Sequence, residues 1–69
     1  MRAEEVKRVA EREPFLPFGV RLSNGAQYFF NNPRDFGAPR DFTEIFYFAE
    51  DGGWALIDTE NIVEILEKK

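Results

Sequence analysis

The chain has neither cysteine nor histidine among its 69 residues. Without cysteine it can form no disulfide and no thiolate metal site, and without either residue the commonest ligands of zinc are missing. An all-oxygen cation site is the remaining kind. The acidic stretch 50–53, with Asp58 and Glu60 beyond it, lacks the spacing of a calcium-binding loop. We therefore expect no metal and no cofactor.

Catalytic side chains are scarce for the same reason. Triads of the Ser-His or Cys-His kind cannot be assembled without histidine. The one serine, Ser23, precedes Asn24 and Gly25 in a predicted turn, where its role is turn chemistry. The sequence also has no glycine-rich phosphate loop, and no carboxylate lies in an apolar stretch of the kind that tunes a general acid. The chain is expected not to be an enzyme.

Long hydrophobic runs and a basic surface are also missing. No stretch of about 18 apolar residues occurs, so no membrane span is expected. Residues 1–6 show no apolar core of a signal peptide, which favours a cytoplasmic location. The net charge is −4, and residues 50–69 carry the whole excess, with six acids against Lys68 and Lys69. An acidic third of the chain disfavours binding to nucleic acid, because such binding depends on neutralising phosphates.

Aromatic residues are abundant instead, with eight phenylalanines, two tyrosines and one tryptophan. Each such ring buries about 150–250 Å² when it enters a core. Rings on this scale let a chain of this length build a core without disulfides or metals. We expect one domain over residues 1–69.

The apolar pattern predicts one helix followed by short strands. Val6, Val9 and Ala10 share one face of a helix over residues 3–12, which Pro14 ends. Asn24-Gly25 predicts a hairpin with a type I′ turn. The closing segment 62–66 fits helical or strand spacing, and its β-branched content favours a strand. Strands are predicted at residues 18–23, 26–31, 42–49, 54–58 and 62–66.

These elements indicate an α+β, mainly β, fold class. The N-terminal helix is followed by a small antiparallel five-stranded barrel or sheet, and the element order is that of Sm-like or SH3-like barrels. The long loop between the second and third strands contains a duplication, Pro33-Arg34-Asp35-Phe36 and Pro39-Arg40-Asp41-Phe42. Its two arginines either bind an anion or pair with the neighbouring aspartates.

Large apolar side chains occupy both faces of the strands around residues 28–30 and 45–48. A sheet with one face in water should alternate, so a second surface must cover these residues. That surface is either the helix with Phe15 and Leu16, or another protein chain. The interface candidates are Phe29, Phe46, Tyr47 and Trp54, with Arg34 and Arg40 at the rim.

The expected function is therefore a non-enzymatic interaction module that forms a homo-oligomer or binds a protein partner through these aromatic strands. The alternative is an Sm-like nucleic-acid-binding protein that uses Arg21, Arg34, Arg40 and exposed aromatic rings.

The connector Pro14-Phe15-Leu16-Pro17-Phe18 and the turn Ser23-Asn24-Gly25 follow the helix directly. This part of the chain resembles short uncharacterised bacterial proteins of similar length, many of which close with an Ile-x-x-Ile segment like Ile62-Val63-Glu64-Ile65. The resemblance covers about the first 25 residues well, and the loop duplication departs from it. It implies the domain boundary and the order of elements, and it carries no activity.

Overall fold

The computed structural model describes residues 1–67 of the chain. One helix and six strands form an α+β fold that is mainly β, as the alternation of apolar residues predicts. The strands make two three-stranded antiparallel sheets, with orders β2-β1-β6 and β3-β4-β5. The elements are α1 (Ala3–Ala10), β1 (Phe18–Leu22), β2 (Gln27–Phe30), β3 (Phe36–Gly37), β4 (Glu44–Phe48), β5 (Trp54–Asp58) and β6 (Ile62–Glu67), with 3-10 turns at Pro33–Asp35 and Thr59–Asn61.

The core lies between the inner faces of the two sheets and is closed at one end by α1. Phe30 of β2 joins the sheets, since its ring centroid lies 5.2 Å from that of Phe36 in β3 and 5.7 Å from that of Tyr47 in β4. Such edge-to-face arrangements add to the free energy of burial. The buried apolar residues are Val6, Ala10, Phe18, Val20, Phe30, Phe42, Ile45, Ile57 and Ile62.

The helix is shorter than its predicted span of 3–12. It ends at Ala10, and the backbone N–H of Glu11 donates to the carbonyl of Lys7 at 2.9 Å. Val6 and Ala10 are the buried residues of α1, and no apolar residue follows for a further turn to bury. Arg12 instead reaches β6, where its guanidinium lies 3.0 Å from the Glu67 carboxylate.

The expected five strands are six, because the loop between the second and third predicted strands contains β3. Pro33 begins a 3-10 turn, and the Asp35 carboxylate accepts the backbone N–H groups of Asn31 and Asn32, both at 3.2 Å. The turn redirects the chain, so that Phe36–Gly37 pairs with β4. Over residues 1–67 the strands form two separate sheets, so of the expected barrel or sheet the closed barrel is not present.

The third predicted strand begins later than expected, at Glu44 rather than at Phe42. Phe42 has a φ of 54°, in the left-handed region, yet its side chain is buried. The Asp41 carboxylate accepts both the N–H and the hydroxyl of Thr43, at 3.2 and 3.0 Å. These bonds hold a turn where the apolar pattern indicates a strand.

The closing segment is a strand, and the helical alternative does not form. β6 pairs antiparallel with β1, placing Val20 opposite Ile65. Val20 is fully buried at the centre of β1, with β2 on its other side. The spacing of residues 62–66 is compatible with a helix or a strand, and pairing with the free edge of β1 makes them a strand.

The two hairpins close in the same way, and the first does not use the type I′ turn expected at Asn24-Gly25. At the first, the N–H of Leu22 donates to the carbonyl of Ala26 at 2.8 Å, and the Asn24 side chain accepts the Ala26 N–H at 2.9 Å. A type I′ turn needs positive φ at both central residues. Gly25 has a φ of 90°, whereas Asn24 is not among the residues with positive φ.

The second hairpin repeats this arrangement, as Gly52 has a φ of 92° and the Asp51 carboxylate accepts the Gly53 N–H at 2.9 Å. Both are three-residue loops with one left-handed glycine.

Alanine at either left-handed glycine should destabilise the domain. A side chain at this φ costs about 1–2 kcal/mol, so Gly25→Ala and Gly52→Ala should each lower the free energy of unfolding by that amount. Chemical denaturation followed by circular dichroism measures it. Gly25→Asn should lose less, because asparagine tolerates this conformation. Ser23→Ala, in the same exposed loop, is the control, and an equal loss there would contradict the assignment.

Candidate functional site

The outer face of the sheet β3-β4-β5 carries large apolar side chains. Side chains alternate along a strand, so Ile45 and Ile57 enter the core while their neighbours point outward. The register places Phe46 opposite Leu56 and Phe48 opposite Trp54. We call the four outward residues Phe46, Phe48, Trp54 and Leu56 the aromatic face.

The aromatic face is contiguous and open to water. Its side chains are exposed by 39% at Phe46, 48% at Phe48, 67% at Trp54 and 52% at Leu56. The rings of Phe46 and Phe48 are nearly parallel, with centroids 6.3 Å apart, and the Trp54 ring lies 6.1 Å from Phe46. Gly37, opposite Phe46 in β3, adds no side chain to screen them. A contiguous exposed apolar patch of this kind marks an interaction surface more often than an isolated exposed residue does.

Neither the helix nor the connector covers this face, which contradicts the intramolecular alternative for β4 and β5. α1 places Val6 and Ala10 in the core. The Phe15 ring packs 6.0 Å from Phe18 and 6.1 Å from Phe36, on the inner side of the sheets. Leu16 is itself about half exposed. Within residues 1–67 the aromatic face therefore lacks a partner.

The structure brings together two of the four aromatic candidates. Phe46 and Trp54 lie on the aromatic face. Tyr47 does not, because consecutive residues of a strand point to opposite faces. Its ring is half-buried on the inner side, 5.1 Å from the ring of Tyr28. Phe29 lies on the other sheet, packed over Gly19 of β1.

Sequence reasoning missed Phe48 and Leu56. The signal was present in the two-residue spacing from Phe46 to Phe48 and from Trp54 to Leu56. In a hairpin with a short loop, these four positions fall on one face in two opposed pairs. Applying the strand period to both strands together would have grouped these four residues and placed Tyr47 on the opposite face, without showing which of the two faces is the outer one.

The arginine candidates lie apart from one another. Arg34 is exposed in a 3-10 turn and Arg40 is exposed in the loop before β4. The expected pairing with their neighbouring aspartates is wrong, since those carboxylates accept backbone or hydroxyl groups, and neither arginine has a salt bridge within the described part of the chain. Arg21 pairs with Glu64 of β6 across 2.8 Å, on the other sheet.

Acidic side chains border the aromatic face at both ends. Residues 41–67 include eight acids and not one lysine or arginine. Glu44 of β4 lies directly opposite Asp58 of β5 at one end, and both are exposed. The hairpin residues Glu50 and Asp51 lie at the other end. No salt bridge to any of these four carboxylates forms within residues 1–67.

Two shallow grooves adjoin these ends. The groove at the Glu44–Asp58 end is also lined by Arg2 and by Met1, whose N-terminal ammonium donates to the carbonyls of Thr59 and Ile62, so some positive charge is present there. Its acids are nevertheless in excess, with Glu4, Asp41, Glu44, Asp58 and Glu60 in its walls. The groove at the other end adjoins Phe48 and is lined by Asp35, Glu50 and Asp51. The borders of the aromatic face are thus net acidic.

The described residues contain no cluster of three or more side chains suited to hold a metal ion. Among them there is also no helix with the length and hydropathy to traverse a bilayer. Comparisons with protein-family models, curated proteins and solved structures find no match to this chain. The resemblance to short bacterial proteins therefore stays a prediction.

Proposed function

We propose that this chain is a non-enzymatic binding domain that contacts another protein chain through the aromatic face. The observation that carries the proposal is the row of four large apolar side chains on β4 and β5, each exposed by more than a third. Aromatic side chains are enriched at the centres of protein interfaces, where they contribute much of the binding free energy.

The backbone beneath the face supports the same proposal. β4 and β5 pair over five residues, from Glu44 opposite Asp58 to Phe48 opposite Trp54. Their inner side chains Ile45 and Ile57 are almost completely buried. The backbone that carries the aromatic face is therefore already ordered before binding, which favours affinity.

The finer classification as an Sm-like or SH3-like domain is part of the proposal. Two features support it: the antiparallel pairing of the last strand with β1, and the 3-10 turn Thr59–Asn61 that joins β5 to β6. Fold likeness of this kind does not deliver function. Nucleic-acid binding has no specific observation in its favour, because acids rather than arginines border the exposed rings.

A photo-crosslinking amino acid at position 56 tests the proposal in cells that make this protein. We expect a discrete covalent adduct with a protein, and its loss on adding Phe48→Ser. The same amino acid at position 27, where Gln27 is exposed on the other sheet, is the matched control.

Sedimentation of the purified chain over a wide concentration range reports whether the partner is a second copy. A monomeric chain that gives no adduct specific to position 56 would overturn the proposal.

A further inference from the structure

Resting on this proposed function, we infer that the occupant of the aromatic face is a cationic amphipathic segment of another protein, with arginine beside apolar side chains. The four apolar side chains of the face complement the apolar side chains of this partner, and the acidic ends complement its cationic side chains. Both features together favour this partner, and neither does so alone.

The Glu44–Asp58 pair is the first step. Directly opposite residues on one face of an antiparallel pair have Cβ atoms about 4.5–5.5 Å apart, and like charges there are destabilising. Both carboxylates are exposed, and no lysine or arginine of residues 1–67 forms a salt bridge with them. A cation placed between them would add two attractions that outweigh this repulsion.

The opposite end of the face also carries acidic side chains. Glu50 and Asp51 are exposed in the hairpin beside Phe48, and Asp35 joins them in the adjoining groove. A segment that crosses the four apolar residues therefore meets carboxylates as it enters and as it leaves. Cationic residues at both ends of an apolar stretch complement this pattern, and such complementarity raises association rate and specificity.

A second copy of this chain fits less well. A two-fold contact buries the same patch on both copies. Because both ends of the face are acidic, stacking two faces brings carboxylates near carboxylates in either strand direction. The exposed arginines lie outside the face, Arg34 in the 3-10 turn before β3 and Arg40 in the loop before β4.

The rings favour arginine over lysine. Trp54 is the most exposed large apolar residue, and tryptophan gives the strongest cation–π attraction, within about 6 Å of a guanidinium. A guanidinium also stacks flat on a ring while its N–H groups donate to a carboxylate, which an ammonium cannot do. The same carboxylates would repel the phosphate groups of phosphate-bearing ligands.

The chain carries its own probe for this inference, because Trp54 is its single tryptophan. Its fluorescence can be followed while four synthetic peptides of equal length are added: arginine with leucine, lysine with leucine, glutamate with leucine, and arginine with serine. We expect the arginine–leucine peptide to bind tightest, with a blue shift of Trp54 emission, and lysine–leucine to follow. The other two should bind at least about tenfold more weakly, since each lacks one half of the match.

Charge-removing variants provide the second readout. Glu44→Gln with Asp58→Asn should weaken arginine–leucine binding severalfold and flatten its salt dependence, because exposed charges are screened by salt. Glu5→Gln with Glu11→Gln removes two exposed acids from α1 and its end, and should leave binding unchanged. Phe48→Ser should abolish binding of every peptide. Circular dichroism confirms that each variant folds.

The outcomes separate this inference from the proposed function. Equal binding of the arginine–leucine and glutamate–leucine peptides, lost in Phe48→Ser, would overturn the inference and leave a binding face. So would concentration-dependent dimerisation abolished by Phe48→Ser, or tighter binding of single-stranded RNA than of any peptide. Absence of peptide binding also overturns the inference, and the crosslinking at position 56 then decides the proposed function separately.

Discussion

Replacing Phe30 by alanine should lower the free energy of unfolding by about 3–5 kcal/mol, the usual cost of removing a buried aromatic ring. Phe30 is completely buried. Its ring contacts Phe18 within its own sheet at 5.1 Å, and Phe36 and Tyr47 across the gap to the other sheet. The cavity would therefore open where the two sheets meet.

The loss is large for a chain of this length. At about 0.05–0.15 kcal/mol per residue, total stability is on the order of 3–10 kcal/mol. Phe30→Ala should therefore leave a substantial unfolded fraction in water. Urea denaturation followed by circular dichroism measures it. Phe30→Leu keeps much of the side-chain volume and remains measurable if Phe30→Ala does not fold.

Phe48→Ala is the matched control. It removes the same ring from a strand of the same fold, but Phe48 is about half exposed on the aromatic face. We expect a loss of about 1 kcal/mol, because only about half of the Phe48 side chain leaves water on folding. Similar losses at both positions would mean that the inner and outer faces of the sheets are wrongly assigned.

The local pattern predicted those parts of the fold that burial of one face determines. The spacing of Val6 and Ala10 identified the face of the helix that enters the core, and the alternation of Phe18 and Val20 identified the first strand. Each pattern requires only that apolar side chains leave water on one side. The Asn24-Gly25 pair likewise indicated the first hairpin, and Gly25 has the positive φ that this prediction requires.

Features that depend on polar side chains or on distant strands were not predictable in this way. The Asp35 carboxylate accepts the Asn31 N–H and so stabilises the 3-10 turn between β2 and β3. The Asn24 side chain accepts the Ala26 N–H and so stabilises a three-residue loop rather than a type I′ turn. Both depend on hydrogen bonds from backbone N–H groups to a side chain, which periodicity does not reveal. Whether residues 62–66 form a strand depends on β1, forty or more residues away in the sequence.

Two of the four residues of the aromatic face could be predicted from the local sequence, and the other two depend on strand pairing. The sequence shows that residues 45–48 have more apolar surface than one face can bury, and Phe46 and Trp54 follow from that surplus. Phe48 and Leu56 need the pairing of two strands, and the exclusion of Tyr47 needs the choice of inner face. Tyr47 lies on the inner face because it packs against Tyr28 and Phe30 of the other sheet. The sequence of β4 alone does not contain this information.

The outward apolar side chain of β2, Phe29, packs on its neighbouring strand instead. This packing gives the second prediction with a large expected effect. Phe29 lies across the position where Gly19 of β1 has no side chain. A Cβ atom built on Gly19 would lie 2.6 Å from the nearest carbon of the Phe29 ring and 2.9 Å from the backbone carbonyl oxygen of Tyr28. Gly19→Ala should therefore destabilise the domain by about 1–3 kcal/mol, the usual cost of overpacking.

Gly37→Ala is the matched control, since Gly37 is also a strand residue but has only the Phe48 ring at 3.8 Å from its Cβ position. It should be neutral or stabilise by up to about 1 kcal/mol, because alanine restricts the unfolded chain.

The variant with both Gly19→Ala and Phe29→Ala separates the two obstacles at Gly19. Removing the ring relieves its clash, but the carbonyl of Tyr28 belongs to the β1–β2 pairing and can move only by distorting that pairing. Recovery should therefore be partial, with a coupling free energy measurable by urea denaturation of both single variants and the pair. Full additivity would show that Phe29 does not pack on Gly19. Phe29 is exposed by 41%, so its ring would then be an exposed aromatic side chain on the outer surface of the other sheet, without a packing role at Gly19.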